Sequence, residues 1–148
     1  MNYVVNFVRT VLGYFVMFFE DNGVTELSLN DLKRQRHRIG EVTEVILIYP
    51  PASESWGFYT VVTNDRNEAW IFSGFAWGYP GEGPRGLETM LKVIGFVPPT
   101  WDELPPAHVA GVWTINRSGV IGHRYDEPSG VPRLKDLEDE NNPSYAPE

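Results

Sequence analysis

Leu87, Met90, Leu91 and Ile94 recur at i, i+3, i+4 and i+7, so a helix through them presents a single apolar stripe. Pro84 suits the first helical position, where its missing N–H is no loss and its fixed φ is already helical. Gly95 suits the residue just past the end, where a left-handed conformation closes the last turn. Glu88 and Lys92 add an i,i+4 pair in the favourable order. The pattern predicts a helix over 84–94 that must lay its stripe on a core.

The stretch leading into this helix, FAWGYPGEGPRGL, is unusual for its glycines at 78, 81, 83 and 86. Glycine inside a first turn weakens a helix by about 1 kcal/mol relative to alanine, so Gly86 needs another reason to be there. Arg85 sits where the helix dipole disfavours a cation by a few tenths of a kcal/mol. A bound anion accounts for both: backbone N–H groups face it, the glycines permit close approach, and Arg85 adds a bidentate clamp. Trp77 and Tyr79 supply rings that stack on a base. These considerations select Trp77, Tyr79, Gly81, Gly83, Arg85 and Gly86 as ligand-binding candidates, with Arg117 and Arg124 joining them if the last hairpin packs near the loop. A plainer reading stays open beside this one. The stretch then only connects a strand to a helix, Phe75 and Trp77 are core, and Glu82 pairs with Arg85. The spacing matches neither a Walker loop nor a dinucleotide fingerprint.

Phe75, Trp77, Gly78, Tyr79, Gly81, Gly83, Pro84 and Leu87 resemble the F-x-W-G-Y-x-G-x-G-P-x-x-L signature of an uncharacterised family of small bacterial and phage proteins. The likeness spans about a tenth of the chain, and Pro80 stands at a variable position where glycine is expected. It implies a shared loop and a bacterial or phage origin, and nothing beyond these.

Elsewhere the chain reads as strands and turns. The run from Tyr3 to Phe19 fits helical spacing at Val4, Phe7, Val8, Val11, Phe15 and Phe18, yet its β-branched and aromatic richness suits two strands broken near Gly13. Strands are the favoured reading, because YFVMFFE, DNG and VTELSL follow one another as strand, turn and strand. Asn30 then caps a short helix over DLKRQRHRI that closes at Gly40. EVTEVILIYP is a buried strand, GFYTVVT and EAWIFSG flank an Asn-Asp-Arg-Asn turn, and AGVWTIN and VIGHRY flank Arg117-Ser118-Gly119. VPPTWDELPPAH cannot stay regular for long. Without a βαβ alternation, the fold class is α+β: a mainly antiparallel sheet built from hairpins, with one or two helices packed on a face.

Charge is distributed unevenly. Of 148 residues, 20 are acidic and 12 basic, but seven of the acids and only two of the basic residues fall between 126 and 148. Five of the eight net negative charges therefore lie in the last 23 residues and three in the rest. Residues 1–127 read as one domain and 128–148 as a disordered acidic tail, since the tail has too little apolar surface to offset its ordering. A mildly acidic body weighs against general nucleic-acid binding. Lys33, Arg34, Arg36, His37 and Arg38 form a basic cluster that reads more simply as a solvated face than as a phosphate patch. The 3–19 run is short for a membrane span and is interrupted by Asn6, Arg9 and Thr10, which leaves no membrane partner. With no cysteine, neither a disulfide nor a thiolate metal site is available, and a reducing cytoplasm is the simplest location.

Catalysis lacks a signature. His37, His108 and His123 have no metal-ligand spacing, and no serine occupies a nucleophile elbow. The sequence supports no catalytic residues, no metal and no cofactor. The expected function is a non-enzymatic module that binds a phosphate-bearing, nucleotide-like small molecule at the loop. The alternative is an acidic inhibitor, of the immunity or anti-defence kind, that meets a basic protein partner. Either is compatible with a homo-oligomer.

Overall fold

The computed structural model describes residues 2–54 and 57–125. The expected tail, 128–148, lies outside the described residues. Among them are α1 (Tyr3–Thr10), β1 (Phe15–Phe19), α2 (Thr25–Ile39), β2 (Val42–Tyr49), β3 (Tyr59–Asn64), β4 (Glu68–Phe72), α3 (Glu82–Val93), a 3-10 turn (Trp101–Glu103), β5 (Gly111–Ile115) and β6 (Ile121–Tyr125). The strands form a sheet in the order β1-β4-β3-β2-β5-β6. All its pairings are antiparallel except β1 with β4, which is parallel.

Helices cover both faces of this sheet. Val45, Leu47, Val62, Trp70 and Phe72 point to the side of α2 and α3, where they meet Leu32, Leu87, Met90 and Leu91. Ile46, Ile48, Val61 and Ile71 point the other way and meet Tyr3, Val4, Phe7 and Val8 of α1. The class is α+β with a mostly antiparallel sheet, as the sequence indicates, but the helices are not confined to one face.

The N-terminal run is the main correction. Residues 3–10 form a helix, not a strand. Asn2 caps it, its Oδ1 accepting from the amides of Val4 at 2.7 Å and Val5 at 3.3 Å. Gly13, at φ +83°, then lets the chain turn into β1. β-branched residues are mediocre helix formers, yet the 4-7-8 stripe fits an otherwise bare sheet face, and tertiary burial outweighs propensity.

The second correction follows directly. VTELSL is not a strand but the first turns of α2, which starts at Thr25 rather than near Asn30. Glu20, only 8% exposed, explains why. Its carboxylate accepts from the Ser28 hydroxyl, from the Ser73 amide at 2.7 Å, from the Ser73 hydroxyl at 3.1 Å and from the Asn22 amide at 3.2 Å. Thr25 Oγ1 donates to the Gly74 carbonyl at 2.6 Å, and the Ser28 hydroxyl accepts from the Gly74 amide at 2.9 Å. These long-range bonds join the start of α2 to the segment after β4, and no local pattern encodes them.

The remaining elements follow the sequence signals. Both hairpins form, with Asn64 Oδ1 accepting from Arg66 N at 3.0 Å in one turn and Gly119 N donating to Asn116 O at 2.9 Å in the other. α2 closes at Gly40, φ +70°. Among the described residues, no helix is long and apolar enough to cross a membrane. Leu91 is 1% exposed in the α3 stripe, so Leu91→Ala is expected to cost about 2–5 kcal/mol in urea unfolding. An unchanged midpoint would show that α3 does not seal the core.

Candidate functional site

The segment from Ser73 to Gly81 leaves β4, crosses the end of the sheet and enters α3. Its first half belongs to the core. Phe75 and Trp77 are buried, and Phe58 meets Trp77 edge-on at 4.8 Å between ring centroids. The Trp77 indole N–H has no acceptor among the described residues.

Two of the glycines answer to packing. Gly78 has φ +85°, and a Cβ there would stand 2.2 Å from the Ala107 amide nitrogen, because the 105–107 segment crosses directly over it. Gly86 lies where α3 crosses α2: a Cβ would fall 2.2 Å from Thr25 Cγ2 and 3.3 Å from the Phe75 ring. The helix accepts a weaker first turn because the two helices could not otherwise approach this closely. Gly83 faces Ala76 and the Tyr79 hydroxyl. The Tyr79 side chain lies against Gly81 and Gly83 at the start of α3 and also joins an aromatic group, 5.8 Å from Phe58 and parallel to His108 at 6.4 Å. His108 in turn shares a 2.9 Å hydrogen bond with the Tyr49 hydroxyl, and burial raises the Tyr49 pKa above its ordinary value.

Gly81 is the N-cap of α3, which has no side-chain cap. Pro84 brings no N–H, so the amides of Glu82 and Gly83 are the donors left over at this end. Arg85 is exposed, and its guanidinium makes no ion pair among the described residues; the pairing with Glu82 does not form. It stands at the rim of a cleft of about 540 Å³. One wall of the cleft is α3, through Pro84, Leu87 and Leu91; the other is the chain from Pro98 to Leu104. Trp101 stands on that second wall, 54% exposed. The 3-10 turn beneath it is held by a capping box, in which Thr100 N donates to Glu103 Oε1 at 2.8 Å, and by the turn bond from Glu103 N to the Thr100 carbonyl at 3.0 Å. Bonds from the Thr100 hydroxyl and amide hold the Glu103 carboxyl below its ordinary pKa. Lys92, paired with Glu88 at 3.5 Å, places a second cation along the cleft.

Gly81 and Arg85 of the expected residues therefore line one cavity, while Trp77 is core and Gly86 is a helix contact. Arg117 and Arg124 do not join them. Arg117 pairs with Glu41 at 2.9 Å and donates to the Val42 carbonyl at 2.8 Å, and its own carbonyl accepts from Val97 beyond the far end of α3. A 12-residue helix, about 18 Å long, separates it from the loop. Arg124 lies 3.8 Å from Glu44, which also accepts from Tyr14 on the α1 side of the sheet. Trp101, Lys92 and the proline segment are not among the ligand-binding residues the sequence selects. The spacing of Thr100 and Glu103 was the available local signal for that wall.

Among the described residues, no three His, Asp or Glu side chains gather as a metal-ligand set. Comparison with protein-family models, with characterised proteins and with solved structures found no match.

The contact at Gly86 is directly testable. Gly86→Ala is expected to destabilise by about 1–3 kcal/mol in urea unfolding, although alanine is the better helix former, because overpacking dominates. Thr25→Ser removes the methyl while keeping the hydroxyl that bonds Gly74, so the double variant should recover much of the loss. A Gly86→Ala protein more stable than the parent would mean that α2 and α3 do not meet here.

Proposed function

We propose that the protein is a non-catalytic binding module that takes a small phosphate-bearing, nucleotide-like molecule in the cleft along α3. Arg85 carries this reading. An exposed guanidinium with no carboxylate partner among the described residues stands beside two uncapped helix amides at the edge of an apolar cavity. Among the described residues its side chain has no ion-pair partner: the glycines around it serve packing, whereas a cation in this first turn is mildly unfavourable. A phosphate at Arg85 gains a charge-assisted fork together with the helix end, and a flat ring attached to it reaches the apolar walls and Trp101. The cavity volume lies within the range of small-molecule sites. A reducing cytoplasm suits a chain without cysteine, and sequestering a nucleotide there needs only binding.

The test is a thermal-shift screen with mono-, di-, tri- and cyclic nucleotides and inorganic phosphate, followed by titration of any that raises the melting temperature. Arg85→Ala should leave the free protein within a few tenths of a kcal/mol of the parent and weaken the ligand by about 1.5–3 kcal/mol. Arg85→Lys should restore only part, since an ammonium lacks the planar fork. Trp101→Ala should weaken a base-bearing ligand by about 1–3 kcal/mol and leave phosphate alone unaffected. If no compound moves the melting curve, or if Arg85→Ala binds as well as the parent, the reading fails and the acidic-inhibitor reading takes its place.

A further inference from the structure

One edge of the sheet is apolar and carries no charge. Among the described residues β1 pairs only with β4, so its outer row of backbone groups has no strand partner there, and the five residues FVMFF carry no charge and no proline. Phe15 is 66% exposed and Met17 54%, and a bulge between Val16 and Phe18 leaves Met17 out of the β4 ladder. Val24 and Leu27, at the start of α2, are 44% and 45% exposed. Half of the large apolar side chains exposed among the described residues thus fall between 15 and 27. The opposite edge differs: β6 presents exposed Gly122, His123 and Arg124, the kind of polar edge that discourages strand pairing.

Helix α2 runs antiparallel to β1. Its start is tied to Glu20, just after β1, by the Ser28 hydroxyl. Its end is tied to the β3–β4 turn, where Arg66 donates to the Arg38 carbonyl at 2.7 Å and where β1 begins with Phe15 N bonded to Asn67 O. Met17 and Arg38 line the same surface depression. The helix is electrically polarised along this edge. Glu26 stands near its start, whereas Lys33, Arg34, His37 and Arg38 crowd its end. Of these basic groups only Arg34 is paired among the described residues, with Asp31.

We propose that β1 is a homodimer interface, with the β1 strands of two copies pairing antiparallel to make one continuous sheet. Antiparallel pairing of an edge with itself needs a two-fold axis perpendicular to the sheet. That axis sets the two α2 helices on the same face, side by side and antiparallel. The basic end of each then lies beside the acidic start of the other, so a second copy supplies the charge complement that the helix lacks by itself. The same pairing covers Phe15, Met17 and Leu27 and satisfies the open backbone edge. This surface lies on the opposite side of α2 and β4 from the Arg85 cleft, and the inference does not rest on the ligand reading.

Light scattering or sedimentation of the full chain over about 5–500 µM tests it. The expected result is a concentration-dependent shift from one to two protomers, weakened when salt is raised from about 50 to about 500 mM. Met17→Lys should raise the dissociation constant by about tenfold or more while leaving the melting curve of the monomer in place. Arg38→Glu should also weaken the dimer, and adding Glu26→Lys to it should restore the affinity. A monomer throughout the range, a dimer indifferent to Met17→Lys, or a double charge exchange no better than Arg38→Glu alone overturns the proposal.

Discussion

The central strands are buried on both sides, β2 as an unbroken apolar run, and the rest of the molecule is arranged to cover them. Every residue of β2 from Val45 to Tyr49 and all six of β3 are buried. Successive side chains of a strand point to opposite faces, so an unbroken apolar run cannot be satisfied by a cover on one side alone. α2 and α3 close one face and α1 closes the other. An eight-residue helix is too short to hold by itself in water, so α1 and the sheet face it covers stabilise each other.

On the opposite face, two junctions determine where α3 and its cleft lie. The Glu20 carboxylate gathers Asn22, Ser28 and Ser73 and so fixes the start of α2 against the segment after β4. The Gly86–Thr25 contact then sets how closely α3 crosses α2. The glycine cost before α3 is thus offset by close packing, at Gly78 against the 105–107 segment and at Gly86 against α2. What this packing leaves without an ion-pair partner among the described residues is Arg85, at the rim of the cavity between α3 and the proline segment.

Elements with local signals were legible in the sequence. The α3 stripe, its closing glycine and the turn chemistry of both hairpins lie within a dozen residues each, and each forms as expected. α3 begins two residues ahead of Pro84, which is therefore its third residue rather than its first and still within the turn where a missing N–H is no loss. Phe75 and Trp77 are core, as the plainer reading has them, and Trp77 is not at the ligand loop's surface as the ligand reading requires. The misread elements depend on distant partners. VTELSL alternates well enough for a strand, but Thr25 and Ser28 bond to Gly74 and Glu20, which only the tertiary structure brings close. α1 was disguised by its β-branched residues. The unbroken VILIY of β2, which needs a second cover, was the indirect clue, together with Asn2 as a cap. The placements of Arg117 and Arg124 depend on sheet order, which no local spacing encodes.

Native-state hydrogen exchange tests the doubly covered sheet most directly. If α1 is half of the cover, the amides of Phe7 and Val8 exchange through the same opening as those of Ile46, Leu47 and Val61, with the free energy of global unfolding. The contrary result is an α1 that opens about 2 kcal/mol or more below the global value while β2 and β3 stay protected. That would mean the sheet holds its second face without the helix, and that α1 is an accessory rather than a condition of the fold.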